Sequence, residues 1–353
     1  MSDKTKKIFL AAVLLIAVGC VVMGAALLMG GDASLDLTSG TGIIGMSNIT
    51  FEKSNRMDNA YDSMGEYAVP ADGINGLNID WISGSLTVTP YDGDVIAFSE
   101  QSGNTIDEEN ALRFGVIDNT LYIQYCRSGR YKNLPIKELE VQIPQALAES
   151  LKEIELDSTS ASITIQGFQA RELNVDTISG RTDISNCTAD EMELGSTSGN
   201  IRLENVTARS ATIDSISGKV ELSGGFGTLE VGTTSGDIRG IGAVTADELE
   251  ISTISGATEL TGSFSDVEQD STSGSIRLTS DTPLTRLRIN SISGAVKLTL
   301  PEDSGFTLHF DTISGKLDCA FPVIKQKDEY TAGDGSASFS VDTTSGGLTI
   351  QIG

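Results

Sequence analysis

A four-residue phrase, Ser or Thr followed by Ile or Thr and then Ser-Gly, recurs along this sequence and constrains its fold more than any other feature. It stands at Thr177-Ile178-Ser179-Gly180, Ser196-Thr197-Ser198-Gly199 and Ser215-Ile216-Ser217-Gly218, with further copies ending at Gly236, Gly256, Gly274, Gly294, Gly315 and Gly346. An early copy, Trp81-Ile82-Ser83-Gly84, opens on Trp, and Ser158-Thr159-Ser160-Ala161 closes on Ala. Between Ala161 and Gly315 the steps are 19, 19, 19, 18, 20, 18, 20 and 21 residues. A period of this size predicts a stack of one structural unit.

Aligning the copies on the Gly shows what the unit is. Seven positions before it the residue is always apolar: Leu77, Ile154, Leu173, Met192, Ala211 and onward to Leu308 and Phe339. Five before it the column is again apolar, with Gln269 the exception, and two and four after it come pairs such as Ile201/Leu203, Val220/Leu222 and Ile276/Leu278. Spacing of two on both sides of a Ser-Gly turn predicts strand, turn, strand, each strand burying one face. A third apolar position, Phe168, Cys187, Val206, Phe226, Val244 or Phe264, precedes the next unit. Each unit therefore turns three corners and advances one strand spacing, about 4.8 Å. The expectation is an all-β solenoid of about 19-residue coils, in which like residues stack and each coil covers its neighbour. The recurrent Ser and Gly read as corner architecture, the Ser bonding nearby backbone and the Gly supplying φ freedom.

Two before the Gly, Thr159, Ile178, Thr197, Ile216, Thr234, Ile254, Thr272 and Ile292 alternate. Two readings are open: an outward ladder alternating between coils, or a turn built from two units. The three apolar corners within one unit favour the first.

Upstream of the array, residues 8–30, from Ile8 to Gly30, carry no charge and follow Lys4, Lys6 and Lys7. That run is long enough to span the roughly 30 Å hydrocarbon core as a helix, with residues 1–7 as a cytoplasmic tail and everything after Gly30 outside. An alternative is a lipoprotein signal, Ala17-Val18-Gly19-Cys20, that anchors the chain through Cys20. Residues 31–68 read as a spacer. Residues 69–153 form an N-terminal β segment holding the first repeat and a hairpin around Asp118-Asn119, and residues 154–353 carry the array. The insert Lys325 to Tyr330 and a Gly333-Asp334-Gly335 turn before Phe339-Ser340-Val341 read as a hairpin closing the end of the stack.

A strand ending at Pro144, the Leu147/Leu151 spacing, Ile154-Glu155-Leu156-Asp157-Ser158 and the serial Ser-Gly rungs together resemble a bacterial adhesin-like family, a membrane-anchored domain of unknown function with β-strand repeats. The resemblance spans about residues 69–353. It implies a right-handed parallel β-helix displayed at the cell surface, with adhesion or an envelope-stress role against membrane-active antimicrobials as rival functions, and it carries no catalytic residues with it.

The chemistry in the sequence is sparse. A formal net charge of −25 argues against nucleic acid or an anionic membrane surface as the main partner. The single histidine, His309, lies one place from two inward columns and should face solvent. Cys126, Cys187 and Cys319 lack zinc spacing, and no disulfide framework is expected. Four before the Gly runs a polar column, Asp80, Asp157, Asp176, Asp214, Asp270, Asn290, Asp311 and Asp342. It reads as strand-end structure, with calcium binding or an acid/base pair acting on a glycan as the functional alternatives. Trp81, Tyr122, Tyr125, Arg127, Arg130, Tyr131 and Lys132 make the one basic-aromatic island in an acidic chain. They are either a ligand surface for a glycan or protein, or aromatics packed over the end of the stack. No cofactor is expected. The sequence thus reads as a non-enzymatic, membrane-tethered surface module, with a polysaccharide-active β-helix enzyme and a passive stalk as alternatives.

Overall fold

The computed structural model describes residues 66–127 and 134–353. The expected membrane helix, the lipidation alternative at Cys20 and nearly all of the spacer lie outside these residues. No helix among the described residues is long and apolar enough to cross a membrane. They form 25 strands and one four-residue helix, Gln145–Ala148. The strands belong to a long, unclosed and mostly parallel sheet.

One sequence unit is one coil. Strand Gln169–Thr177 pairs in parallel with Leu151–Ser158 on one side and Thr188–Ser196 on the other, placing Leu173 between Ile154 and Met192. After the Ser-Gly corner, Thr182–Ser185 lies between Ser162–Gln166 and the start of Ile201–Ser215. The positions seven and five before the Gly, and two and four after it, fill the core, as Leu173, Val175, Ile201 and Leu203 illustrate. Unequal steps are absorbed at the corner that follows, where the register slips between Leu203 and Val206 and between Arg239 and Val244. Asn186 and Asn205 take left-handed backbone there, at φ 53° and 54°.

The Ser-Gly corner works differently from the expectation. Of its glycines only Gly84 has a left-handed φ, 101°. The others are needed for space: a Cβ on Gly199 would sit 1.8 Å from the carbonyl oxygen of Gly180, and one on Gly218 would sit 1.8 Å from that of Gly199. Three before the Gly, the buried hydroxyl turns inward and satisfies the corner backbone. Ser196 Oγ donates to the Gly199 carbonyl at 2.8 Å, and Thr177 Oγ1 accepts from the Gly180 N–H at 3.0 Å. The Ser next to the Gly is exposed and reaches across coils, as Ser179 Oγ does in donating to the Thr159 carbonyl at 3.2 Å. The buried hydroxyl three before the Gly thus finds a partner at the corners that carry one.

Both ends interleave. At the N-terminal end, Gly76–Trp81 lies between Leu151–Ser158 and Thr120–Gln124, and Gly84–Tyr91 lies between Ser162–Gln166 and Lys137–Pro144. The first repeat is therefore the second coil, and Thr120–Gln124 and Lys137–Pro144 supply the strands of the outer one. Antiparallel strands cover that coil: Arg113–Ile117 pairs with Thr120–Gln124, and Val95–Gln101 and then Glu66–Pro70 follow Lys137–Pro144. The turn joining Arg113–Ile117 to Thr120–Gln124 uses left-handed Asp118 and Asn119, as a two-residue hairpin requires.

At the C-terminal end, Ala337–Thr343 and Leu348–Ile352 insert beside Arg286–Ser291 and Val296–Leu300. Phe306–Thr312 and Leu317–Cys319 form the coil beyond them. The closing hairpin is Val323–Gln326 with Glu329–Ala332, laid on Phe306–His309. Phe339-Ser340-Val341 is thus not part of that hairpin, contrary to the sequence expectation. Its Phe339 and Val341 carry inward columns and are buried by coils on both sides.

This order explains the alternating column. Backbone bonds from each corner to the next give the spatial sequence Ile82, Thr159, Ile178, Thr197, Ile216, Thr234, Ile254, Thr272, Ile292, Thr344, Ile313. In chain order Ile292 and Ile313 would be adjacent. In space Thr344 stands between them, and the alternation is unbroken over the whole stack.

Candidate functional site

The basic-aromatic island divides. Trp81 and Tyr125 are interior, 0% and 1% exposed, and meet edge to face with centroids 4.8 Å apart. Neither offers a ligand surface. Trp81 occupies the column three before the Gly, which shares its parity with the two apolar columns and therefore points inward. Tyr122 is half-buried on Thr120–Gln124, and Arg127 is exposed. Arg130, Tyr131 and Lys132 lie outside the described residues.

What the two rings enclose was not anticipated: Lys137, whose side chain is fully buried. Its Nζ lies 4.8 Å from the Trp81 ring centre and 4.0 Å from that of Tyr125. It pairs with Glu100 Oε2 at 2.6 Å and donates to the carbonyl oxygens of Asn110, at 2.9 Å, and Tyr125. Trp81 Nε1 donates in turn to the Lys137 carbonyl at 3.3 Å, and the Tyr125 hydroxyl bonds to Ser83 and the Pro135 carbonyl. Burial pushes the ammonium pKa down while Glu100 pulls it back up. The alternation Lys137-Glu138-Leu139-Glu140-Val141 and Ile96-Ala97-Phe98-Ser99-Glu100 places both charges inward with their apolar neighbours, and that was the available signal. The cluster plugs the N-terminal coil from inside.

On the outside, the column four before the Gly stacks carboxylates. Asp80, Asp157 and Asp176 stand on three successive rungs. Burial between strands, then the neighbouring charges of Asp80, Asp176 and Glu155, push Asp157 up to about 8. Burial likewise raises Asp80, to about 6, and Asp214, to about 7, the latter with help from Glu230 and Glu193. Glycines interrupt the column: a Cβ on Gly195 would sit 2.0 Å from Asp176 Oδ1, and one on Gly232 would sit 2.3 Å from Asp214 Oδ1. Each of these carboxylates leans over the glycine of the next rung.

The raised values have a signed consequence. A carboxyl whose pKa rises on folding binds more protons folded than unfolded, so its contribution to stability is full below the ordinary 3.8 and is lost as pH climbs to about 8 for Asp157. Asp157→Asn is expected to be more stable than the parent at pH 8 and to flatten the decline between pH 4 and 8, read from denaturant midpoints. Parallel pH curves for the two proteins would show that Asp157 carries no such charge penalty.

The remaining candidates are quickly placed. His309 is exposed, on a strand where it faces Glu329 of the hairpin. Cys126 and Cys187 are buried and Cys319 half-buried, and none is in a disulfide among the described residues. No group of three His, Cys, Asp or Glu among the described residues is arranged to hold a metal ion. The strand segments after the Ser-Gly corner neutralise themselves: Asp183, Arg202, Glu221, Arg239, Glu259 and Arg277 alternate rung by rung, with Arg202–Glu221 at 3.3 Å and Arg277–Glu259 at 3.1 Å.

Parallel coils stacked at one-unit register, with core ladders inside and polar ladders outside, define a β-solenoid-like protein. The sequence matches the Toastrack DUF4097 family over residues 107–263 and 240–351, and the chain belongs to that family, whose function is unknown. No curated protein matches it. Among solved structures it is similar to a provisionally named lipid binding protein from Parabacteroides distasonis. The two share 18% identity, with 67% of this chain and 95% of that one covered and a TM-score of 0.48. A provisionally named cell adhesion protein from Clostridium sporogenes aligns at 12% identity over 82% of this chain and 99% of that one, with a TM-score of 0.17.

Proposed function

We propose that the chain is a non-enzymatic surface interaction module, adhesin-like or serving envelope-stress sensing, held outside the membrane by a single helix at residues 8–30. Its coils are read as right-handed, the hand that parallel β connections nearly always take. The observation that carries the reading is the placement of the polar groups. Outside they form ladders repeated over many coils, whereas the charged pair of Lys137 with Glu100 is sealed in the interior. A ladder offers a long partner many equivalent contacts.

The test uses the purified full chain, mixed with isolated cell walls, host-matrix polysaccharides and protein extracts of both. Expected is saturable retention on at least one of these with no release of new sugar ends. Absence of retention on all of them sinks the reading.

One observation favours a second reading, a polysaccharide-active enzyme. Asp80 and Asp157 are hydrogen-bonded neighbours that burial raises to about 6 and about 8, so a proton can be held between them. Under it, sugar ends accumulate with time, and Asp80→Asn or Asp157→Asn each abolishes their release.

A further inference from the structure

The alternation of Ile and Thr along the corner ladder has a period of two coils, about 9.6 Å at a strand spacing of about 4.8 Å. Two facts say that this period belongs to the surface in space and not to the chain's ancestry. The first is the C-terminal interleaving: Thr344 is brought between Ile292 and Ile313, so the alternation holds where chain order would break it. The second is the neighbouring outward column, which keeps the same period over the four rungs from Asp176 to Gly232. Asp176 accompanies Ile178 and Asp214 accompanies Ile216, whereas the intervening rungs pair Gly195 with Thr197 and Gly232 with Thr234. The Asp carboxylates lean over those glycines, so each of these two periods presents one apolar side chain, one hydroxyl and one carboxylate. All six of the side chains in those two columns are half-buried, held in place yet open to solvent on one side.

Stacking alone does not call for this arrangement, because like residues stack well in every inner column of the same coils. A partner that itself repeats every two coils does call for it. An extended β-1,4-linked glycan has that property: each sugar is flipped relative to the last, so the strand repeats every disaccharide, and an extended disaccharide is close to two rungs in length. Its flattened, C–H-rich ring faces suit Ile, and its hydroxyls suit Thr and carboxylate oxygens, which accept them in pairs. We propose that the Ile/Thr corner, with Asp176 and Asp214 beside it, binds an extended β-1,4-linked glycan running along the stack, one disaccharide to two coils. The proposal rests on the reading of the chain as a surface interaction module and names the ligand class of that surface.

The experiment measures sedimentation of the full chain with four insoluble polymers: β-1,4-linked glucan, chitin, β-1,3-linked glucan and α-1,4-linked glucan. Three proteins are compared: the parent, the triple variant Ile178→Thr, Ile216→Thr, Ile254→Thr, and a control, Arg239→Ser, on the strand after the corner. Circular dichroism melts verify that all three are folded. Expected is retention of the parent on the two β-1,4-linked polymers and not on the others, about tenfold or more weaker binding by the triple variant, and parent-like binding by the control. Equal retention on α- or β-1,3-linked polymer, or a triple variant that binds like the parent, overturns the glycan assignment while leaving a surface module in place. A parent that binds none of the four, but is retained on protein extracts, does the same. Retention on nothing overturns both.

Discussion

Gly218→Ala is expected to cost roughly 3 kcal/mol or more, at the upper end of what overpacking does in a protein interior. The added methyl would meet the Gly199 carbonyl oxygen at 1.8 Å and its carbon at 2.7 Å. Separations below 3 Å must be relieved by movement. Here the obstacle is backbone, and that backbone is hydrogen-bonded into coils on either side. Relief would require the coils to part, which opens the core ladders next to them. Gly103→Ala is the control, since a Cβ there meets nothing within 4 Å and the backbone is not left-handed. Denaturant unfolding followed by circular dichroism compares the two. If Gly218→Ala unfolds at the same midpoint as Gly103→Ala, the stacked glycines are dispensable and the spacing argument fails.

Glu100→Ala is expected to destabilise by about 3–5 kcal/mol, because it leaves a buried ammonium without its counter-charge. The side chains of Lys137 and Glu100 are 0% and 3% exposed, so water cannot replace the lost carboxylate without entering the coil. Glu100 Oε1 also accepts the Leu112 N–H at 3.0 Å, and that donor would be orphaned as well. The double variant Glu100→Leu, Lys137→Met removes both charges and is expected to recover much of the loss, since apolar replacements of a buried pair are often neutral. Unfolding curves of the single and double variants form the check. A double variant no more stable than Glu100→Ala would mean that the pair is not what stabilises the plug.

The sequence carried the coil itself because a ladder repeats its evidence. Each inward column was sampled about ten times, so the few polar intruders, Gln269, Thr182 and Thr258, did not disguise the pattern; in the structure the Gln269 amide donates to Thr258 Oγ1 at 2.7 Å. Coil order at the ends was harder to read, since strand periodicity says which face a residue takes and not which strand lies beside it. The clue was the succession Ile292, Ile313, Thr344, a break in alternation that is repaired only if the last coil moves inward.

Trp81 was left open between a ligand surface and packing over the end of the stack for a related reason. An aromatic in a column of small hydroxyls looks like a surface feature until the parity of that column is counted. Lys137 and Glu100 obeyed the same parity and went unnoticed, because isolated charges are ordinarily solvated and a buried pair shows itself only when two distant strands meet. The φ argument for the corner glycines failed because the steric demand comes from the next coil, a neighbour 19 residues away that local turn rules do not include.

The interleaved ends also set how this domain would answer to tension. If a chain leaves a stack from its outermost coil, a pull on the terminus unzips one hydrogen bond at a time. Here Leu348–Ile352 is gripped by Val296–Leu300 on one side and Leu317–Cys319 on the other, and Gly76–Trp81 is gripped in the same way at the opposite end. Force arriving from the N-terminal side would peel Glu66–Pro70, which has a single partner strand, and then stall at a strand that can yield only by shearing two ladders together. A tethered protein built like this behaves under load as a clasp and not as a zip.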